Sequence, residues 1–407
     1  MQTYPSTLRG RALTVVTLAT FSRQQTPAPK ETHPMRNRHR SVLIALVLVG
    51  LASSSFVLCQ ADTLEIGHPA PDFRLPGVDG KTYSLDSFRD AEVLVIVFTC
   101  NHCPTAQAYE SRIKQLAADY KDKKVAVVAI SPNDPQALRL DELSFTDLGD
   151  SLEDMKIRAK DHGFSFPYLY DGETQMVSRA YGPVATPHVF AFDRQRTLRF
   201  TGRIDNSEKP DRVTSHDTRN AIDALLAGKP VPVETTKVFG CSTKWSEKRE
   251  SAKQSLETWA KEEVTVKLID EKGLRVLAKN EGKRLRLINV WATWCGPCVE
   301  ELPEFVAMNR IYRNRGFELV TISADAPEEK EHVLEVLKRK QVAADNFLFN
   351  GSDKYKLMDA VDEKSSGPVP HTILIAPGGK VLYRKSGPCE PLAIKRAIVD
   401  YLGRTYK

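Results

Sequence analysis

Two Cys-x-x-Cys motifs, Cys100-Asn101-His102-Cys103 and Cys295-Gly296-Pro297-Cys298, each follow an apolar β-rich run and precede a stretch with helical spacing of apolar residues. The runs are residues 93–99 and 285–292. A strand that feeds a helix through a reactive loop predicts an α/β fold, and its occurrence twice predicts two such units. The motif also fixes the chemistry. A cysteine at a helix N-terminus meets free backbone N–H groups and the positive end of the helix dipole, and both favour its thiolate. A second cysteine one turn on can attack a mixed disulfide and release the partner. Cys295 follows Cys100 by 195 residues, a distance suited to domain duplication rather than a solenoid.

The flanking patterns recur in the same order. In the first half, Asp79-Gly80 marks a turn and Asp86 reads as an N-cap before a short helix. The Cys100/Cys103 strand, a helix to about Tyr120 and the apolar strand 125–130 come next. A helix over 151–162, hairpin strands at 186–192 and 197–204, and a helix over 216–227 ended by Gly228 complete it. In the second half, strand 264–270 and a turn at Glu271-Lys272-Gly273 lead to the Cys295/Cys298 strand and helix. Then come strand 317–323, a helix over 328–341, strand 370–375, the Pro377-Gly378-Gly379 turn, strand 381–383 and a helix from Pro391. The expected organisation is an N-terminal extension with a signal (1–61), a first domain (62–228), a linker with an exposed bridging helix (229–262) and a second domain (263–407).

The chain has 407 residues and a net charge of +6, enough length for two full cores. Residues 1–40 hold seven basic side chains against Glu31, so the remaining 367 residues are neutral overall. A nucleic-acid footprint needs a basic face on a folded domain, and none is expected here. The early charges instead flank the uncharged run 41–58. From Met35, which competes with Met1 as the true start, this reads as a basic n-region and an apolar h-region. The expected location is therefore exported, periplasmic or extracytoplasmic. Cys59-Gln60-Ala61 offers a cleavage site before Asp62; if it is not cut, the 18 residues of 41–58 suffice as an anchor.

Of seven cysteines, four form the two pairs, Cys59 falls in the signal, and Cys241 and Cys389 are left over, with unpaired burial expected for each. A zinc site needs two further ligands near each pair, and the spacing supplies none. Val299 and Pro104 follow the motifs where c-type haem attachment needs histidine. His68, His188, His216 and His371 lack metal-ligand spacing. Neither a cofactor nor a metal is expected. His102, between the thiols, is either a cation that stabilises a thiolate and makes the first pair the more oxidising, or a neutral polar neighbour.

These residues resemble the thioredoxin superfamily. The stretch Trp291-Ala-Thr-Trp-Cys-Gly-Pro-Cys-x-x-Glu-x-Pro303 is similar to exported TlpA/ResA-type thiol–disulfide oxidoreductases, over about 263–405. Ala70-Pro-Asp-Phe73 and Phe98-Thr-Cys-Asn-His-Cys-Pro104 resemble the redoxin group related to alkyl hydroperoxide reductases, over about 65–228. The resemblance implies two tandem thioredoxin-like α/β folds, each a central mixed β-sheet flanked by helices. It also implies a cis proline opposite each thiol pair, whose neighbours bind extended substrate backbone: Pro187 after Thr186, and Pro370 after Val369. Both lie far enough beyond their cysteines to imply an extra α/β insertion. Thioredoxin's buried acid, six residues before the first cysteine, is Asn289 here, which leaves Glu301 as the candidate base for Cys298. Its other reading is a solvated face. Trp294 is expected to shield Cys295, and Trp291 to be core.

The expected function is exported thiol–disulfide exchange with disulfide- or thiol-containing proteins, fed by a membrane or periplasmic electron donor. Cys295 attacks and Cys298 resolves, and Cys100/Cys103 is the second redox dithiol. The alternatives are a thiol peroxidase in the first half and a binding module without turnover. Peroxidase chemistry in the redoxin group uses Pro-x-x-x-Thr-x-x-Cys. Here Thr99 directly precedes Cys100 and residues 91–99 hold no proline.

Overall fold

The structure, a computed structural model, describes residues 62–406; the expected signal, its cleavage site and Met35 lie outside the described residues. In the first half the chain forms β1 (Arg74–Pro76), β2 (Thr82–Ser84), β3 (Val93–Phe98), α1 (Pro104–Tyr120), β4 (Val125–Ser131), α2 (Leu152–His162), β5 (Tyr168–Tyr170) and α3 (Met176–Tyr181). It continues through β6 (Ala185–Thr186), β7 (His188–Phe192), β8 (Leu198–Gly202), α4 (Asp217–Leu226), β9 (Cys241–Ser242) and α5 (Arg249–Trp259). The second half contains β10 (Lys267–Ile269), α6 (Glu271–Lys279), β11 (Leu285–Trp291), α7 (Gly296–Tyr312), β12 (Phe317–Ser323), α8 (Lys330–Arg339) and β13 (Asp345–Phe349). It ends with α9 (Lys354–Val361), β14 (His371–Ile375), β15 (Val381–Ser386) and α10 (Pro391–Leu402).

Each half is built on a mixed sheet, as expected. The first has the order β5-β4-β3-β7-β8 and the second β10-β13-β12-β11-β14-β15. In both, the strand that leads to the cysteines lies inside the sheet, parallel to the next strand and antiparallel to the one after the proline. All six residues of β3 are buried. Val93, Val95 and Val97 enter one core cluster while Leu94, Ile96 and Phe98 enter another, because alternate strand residues face opposite sides of the sheet. Burial on both faces explains the unbroken apolar run. The β13–α9 unit is the insertion expected before Pro370.

Three local expectations are corrected. The turn at Glu271 is the first turn of α6, where the Asp270 carboxylate accepts from the Gly273 N–H at 2.8 Å. The cap before Phe88 is Ser84 rather than Asp86, which lies in the first turn of that short helix. The expected linker is no free tether. β9 pairs with β6, and Lys244 is buried against Asn133 and Glu142. Among the described residues no helix is long and apolar enough to cross a membrane.

The segment 139–150 of the first half lies on the second. Leu140 and Leu143 pack against the second core, and the Tyr312 hydroxyl donates to the Thr146 carbonyl at 2.8 Å. Arg315 covers the Phe145 ring at 3.7 Å, and Asp147, buried, receives both Arg396 and Arg404.

Candidate functional site

The second pair sits where the motif puts it. Cys295 is the N-cap of α7, Cys298 lies one turn on and is fully buried, and a disulfide joins them. β11 ends beside the cis Val369–Pro370 bond, because Val290 pairs with His371. Val369 itself is half-buried against the second core. Glu301 is buried on α7, which excludes the solvated face. Its carboxylate accepts from the Asn289 side-chain amide at 3.1 Å and from the Cys389 N–H at 2.8 Å. Burial raises its pKa above the usual carboxylate range despite those two bonds. Burial first, and then the nearby Glu301 carboxylate, push the Cys389 thiol up to about 12. α7 continues through Pro303. Trp291 is core, but Trp294 is 59% exposed, with the Lys354 ammonium 4.2 Å from its ring centre. Its indole is thus largely open to solvent, while Cys295 itself is buried. A cleft of about 770 Å³ lined by Thr293, Trp294, Asp325, His332 and Lys354 adjoins this motif.

The first pair is built differently. The N-cap of α1 is Cys103, not Cys100, because Pro104 opens the helix and Asp150 captures the two preceding N–H groups. One Asp150 oxygen accepts from the Asn101 and His102 N–H groups at 2.9 and 3.0 Å. The other accepts from His102 Nδ1 at 2.6 Å and Asn133 Nδ2 at 2.7 Å. Cys100 and Cys103 are free thiols, 2% and 0% exposed. Thr186, before the cis bond to Pro187, touches both: its hydroxyl lies 3.1 Å from Cys100 Sγ and its carbonyl 3.3 Å from Cys103 Sγ.

Charge is divided between the two sulfurs. Burial, the bond to Cys103 and the Asp150 charge all raise the Cys100 pKa. Burial also opposes a Cys103 thiolate, but bonds from Cys100 and Cys241, the His102 charge and the Ala106 N–H outweigh it and lower the Cys103 pKa. The cysteine with the lowered pKa is thus the second of this pair, the one that caps the helix, whereas at the second site the first cysteine, Cys295, is the cap. Burial lowers the His102 pKa, yet Asp150 more than offsets this and His102 is net raised. Its charge is paired with the Asp150 carboxylate in contact and is one of the causes that lower the Cys103 pKa, as the cation reading of His102 expects. Cys100, His102 and Asp150 bring possible metal-ligand atoms within 4.8 Å of one another. Both Asp150 oxygens are already doubly bonded, which fits a positioning network better than a metal shell.

Four site residues escape sequence reading: Asp150, Asn133, Asp325 and Cys241. Asp325 does for the second motif what Asp150 does for the first, accepting from the Thr293 N–H at 3.0 Å and hydroxyl at 2.7 Å. The available signal is a repeat: Ser131-Pro-Asn133 and Ser323-Ala-Asp325 end the strand beside the cysteine strand in each half. Nothing in the sequence points to Asp150.

A mixed sheet, a Cys-x-x-Cys at the head of a helix and a cis proline beside it, present twice, define a tandem protein of the thioredoxin superfamily, and the chain belongs to that superfamily. Residues 66–201 match the AhpC/TSA family and residues 256–400 match Redoxin. Among curated relatives, the chain is similar to "Thiol-disulfide oxidoreductase ResA" of Bacillus subtilis, with 32% identity over 26% of this chain and 60% of the relative. It is likewise similar to the protein of the same name in Oceanobacillus iheyensis, with 30% identity over 26% of this chain and 50% of the relative. The chain thus spans about half of these two relatives' length, or slightly more. A solved structure of an uncharacterized conserved protein from Geobacillus kaustophilus shares 39% identity over 46% of this chain and 94% of that one, with a TM-score of 0.41.

Proposed function

We propose that the protein is an exported thiol–disulfide oxidoreductase that exchanges disulfides with thiol-containing proteins through Cys295/Cys298 and Cys100/Cys103. The observation that carries this is the placement of each pair between a buried strand and a helix, beside a cis proline. At the second site the Cys295 thiolate attacks a substrate disulfide and forms a mixed disulfide. Cys298 then attacks Cys295, and Glu301 takes the Cys298 proton. The substrate leaves as two thiols and the pair is oxidised, to be reduced again by a membrane or periplasmic dithiol donor. Export rests on the basic stretch and apolar run of residues 36–58.

The test uses the full chain with Cys100→Ser/Cys103→Ser, so that only the second pair acts on insulin disulfides. This parent should reduce insulin; adding Cys295→Ser should abolish the reaction, and adding Cys298→Ser instead should accumulate mixed disulfides. An inactive, folded parent, or an active Cys295→Ser, overturns the reading. The AhpC/TSA match over 66–201 favours a second reading, peroxide reduction at Cys100/Cys103. Thiol-dependent hydrogen peroxide consumption by the Cys295→Ser/Cys298→Ser chain would support it.

A further inference from the structure

Cys241 lies in the stretch expected to be a linker, yet the fold delivers it to the first dithiol. β9 runs antiparallel to β6 with Cys241 opposite Thr186, the residue that touches both Cys100 and Cys103. The Cys241 N–H donates to Cys103 Sγ at 3.3 Å. Cys100, Cys103 and Cys241 form one small cluster with Ala106.

The strap that carries Cys241 is anchored on both sides. Before it, Gly240 has φ +144° and lies so close to the Thr186 carbonyl that a Cβ would stand 2.1 Å from its oxygen. After it, the Thr243 hydroxyl donates to the Pro183 carbonyl at 2.8 Å, and the Lys244 N–H donates to Asn133 Oδ1 at 2.9 Å. Cys103 is fully buried, whereas Cys241 is half-buried. A partner's sulfur therefore reaches Cys241 more readily than it reaches Cys103.

We propose that Cys241 is a third redox cysteine of the first site, exchanging with the Cys100–Cys103 disulfide and carrying that disulfide to the strap. This rests on Cys100/Cys103 acting as a redox dithiol. The Cys241 thiolate attacks Cys103 Sγ; the Cys241–Cys103 bond forms as the Cys100–Cys103 bond breaks. Cys100, whose surroundings disfavour a free thiolate, leaves as a thiol by taking up the proton that Cys241 gives up, beside the Thr186 hydroxyl. One disulfide replaces another, so no further oxidant or reductant is needed. An outside dithiol can then reduce the strap disulfide without entering the buried pair.

The test uses the full chain with Cys295→Ser/Cys298→Ser, oxidised with diamide, blocked with N-ethylmaleimide and digested without reduction. With Cys100→Ser added, a Cys103–Cys241 cross-link should form in roughly half or more of the molecules, since a neighbouring thiol acts at millimolar effective concentration. Recovery of Cys103 and Cys241 as separate blocked or glutathionylated thiols overturns the proposal. With Cys241→Ser instead, Cys100–Cys103 should still form; its failure in a folded protein would overturn the dithiol reading beneath the proposal. Should Cys100→Ser not fold, the parent decides: in graded glutathione buffers it should populate the Cys103–Cys241 peptide alongside Cys100–Cys103, and its absence at every ratio overturns the proposal.

Discussion

At the scale of residues, two buried acids divide the work. Glu301 has a pKa raised above 4.5, and a carboxyl group accepts a proton only when ionised, so under the proposed base role the resolving step should speed up as pH rises through that raised value. Glu301→Gln removes this limb and should slow resolution about tenfold or more, read by stopped-flow on a preformed mixed disulfide. An unchanged pH profile would leave Glu301 a structural partner of Asn289 and Cys389. Asp150 has a different task, holding two backbone N–H groups and His102 at once. Leaving its partners buried and unmatched in Asp150→Ala should cost about 3 kcal/mol, measured by denaturant unfolding. The pH dependence has a definite sign. The folded His102 pKa lies above 6.5, so the charged pair contributes fully below 6.5 and fades as pH rises through the folded value. The folded Asp150 pKa lies below 3.8, so its share is present above 3.8 and is lost as pH falls through the folded value. The stability gap between wild type and Asp150→Ala should therefore narrow on both flanks.

At the scale of elements, the strap decides who reaches the first site. Gly240→Ala forces a Cβ against the Thr186 carbonyl, at a φ of +144° that side chains rarely adopt, so β9 should lift from β6. Cys100 and Cys103 should then react with maleimide about tenfold faster or more, an intramolecular strand no longer holding the groove. Equal rates would mean that the pair is reached by another route. The sequence already showed both cysteine strands, both helices behind them and both prolines, because buried parallel strands read as apolar runs and each motif has fixed chemistry. It did not show β9. Two residues carry no periodicity, and Gly240-Cys241 reads as loop until Thr186 is brought opposite. The helix start moved for a similar reason: Cys103 rather than Cys100 caps α1 because Asp150, 47 positions beyond Cys103, holds the intervening N–H groups. The Glu271 turn was misread because Gly273 suggests a turn, while the Asp270 cap that makes it helical acts through one side chain.

At the scale of the whole molecule, the segment 139–150 joins the two halves and ends at the first site. Leu140, Leu143 and Phe145 lie on the second half, Asp147 takes Arg404 and Arg396 from it, and Asp150 holds the Cys-x-x-Cys loop. Arg158 approaches Asp147 from the first half at 3.8 Å. Burial opposes the Asp147 charge, but Arg404 wins and holds its carboxyl below 3.8. The contact it anchors is present above 3.8 and is lost as pH falls through the lower folded value. Removing one member of a buried pair leaves the others without a counter-charge, so Asp147→Ala should cost about 3 kcal/mol at neutral pH. The loss falls on the seam between two cores rather than inside either. Calorimetry of the full chain should therefore separate the transitions of the two halves further in Asp147→Ala than in the wild type, because each half keeps its own sheet and core. The segment also carries Asp150, so maleimide should reach Cys100 faster in Asp147→Ala while Cys295/Cys298 stays unchanged. Transitions unchanged from the wild type would mean that the apolar contacts of Leu140 and Leu143 suffice to join the halves, and that the arginines add only surface pairing.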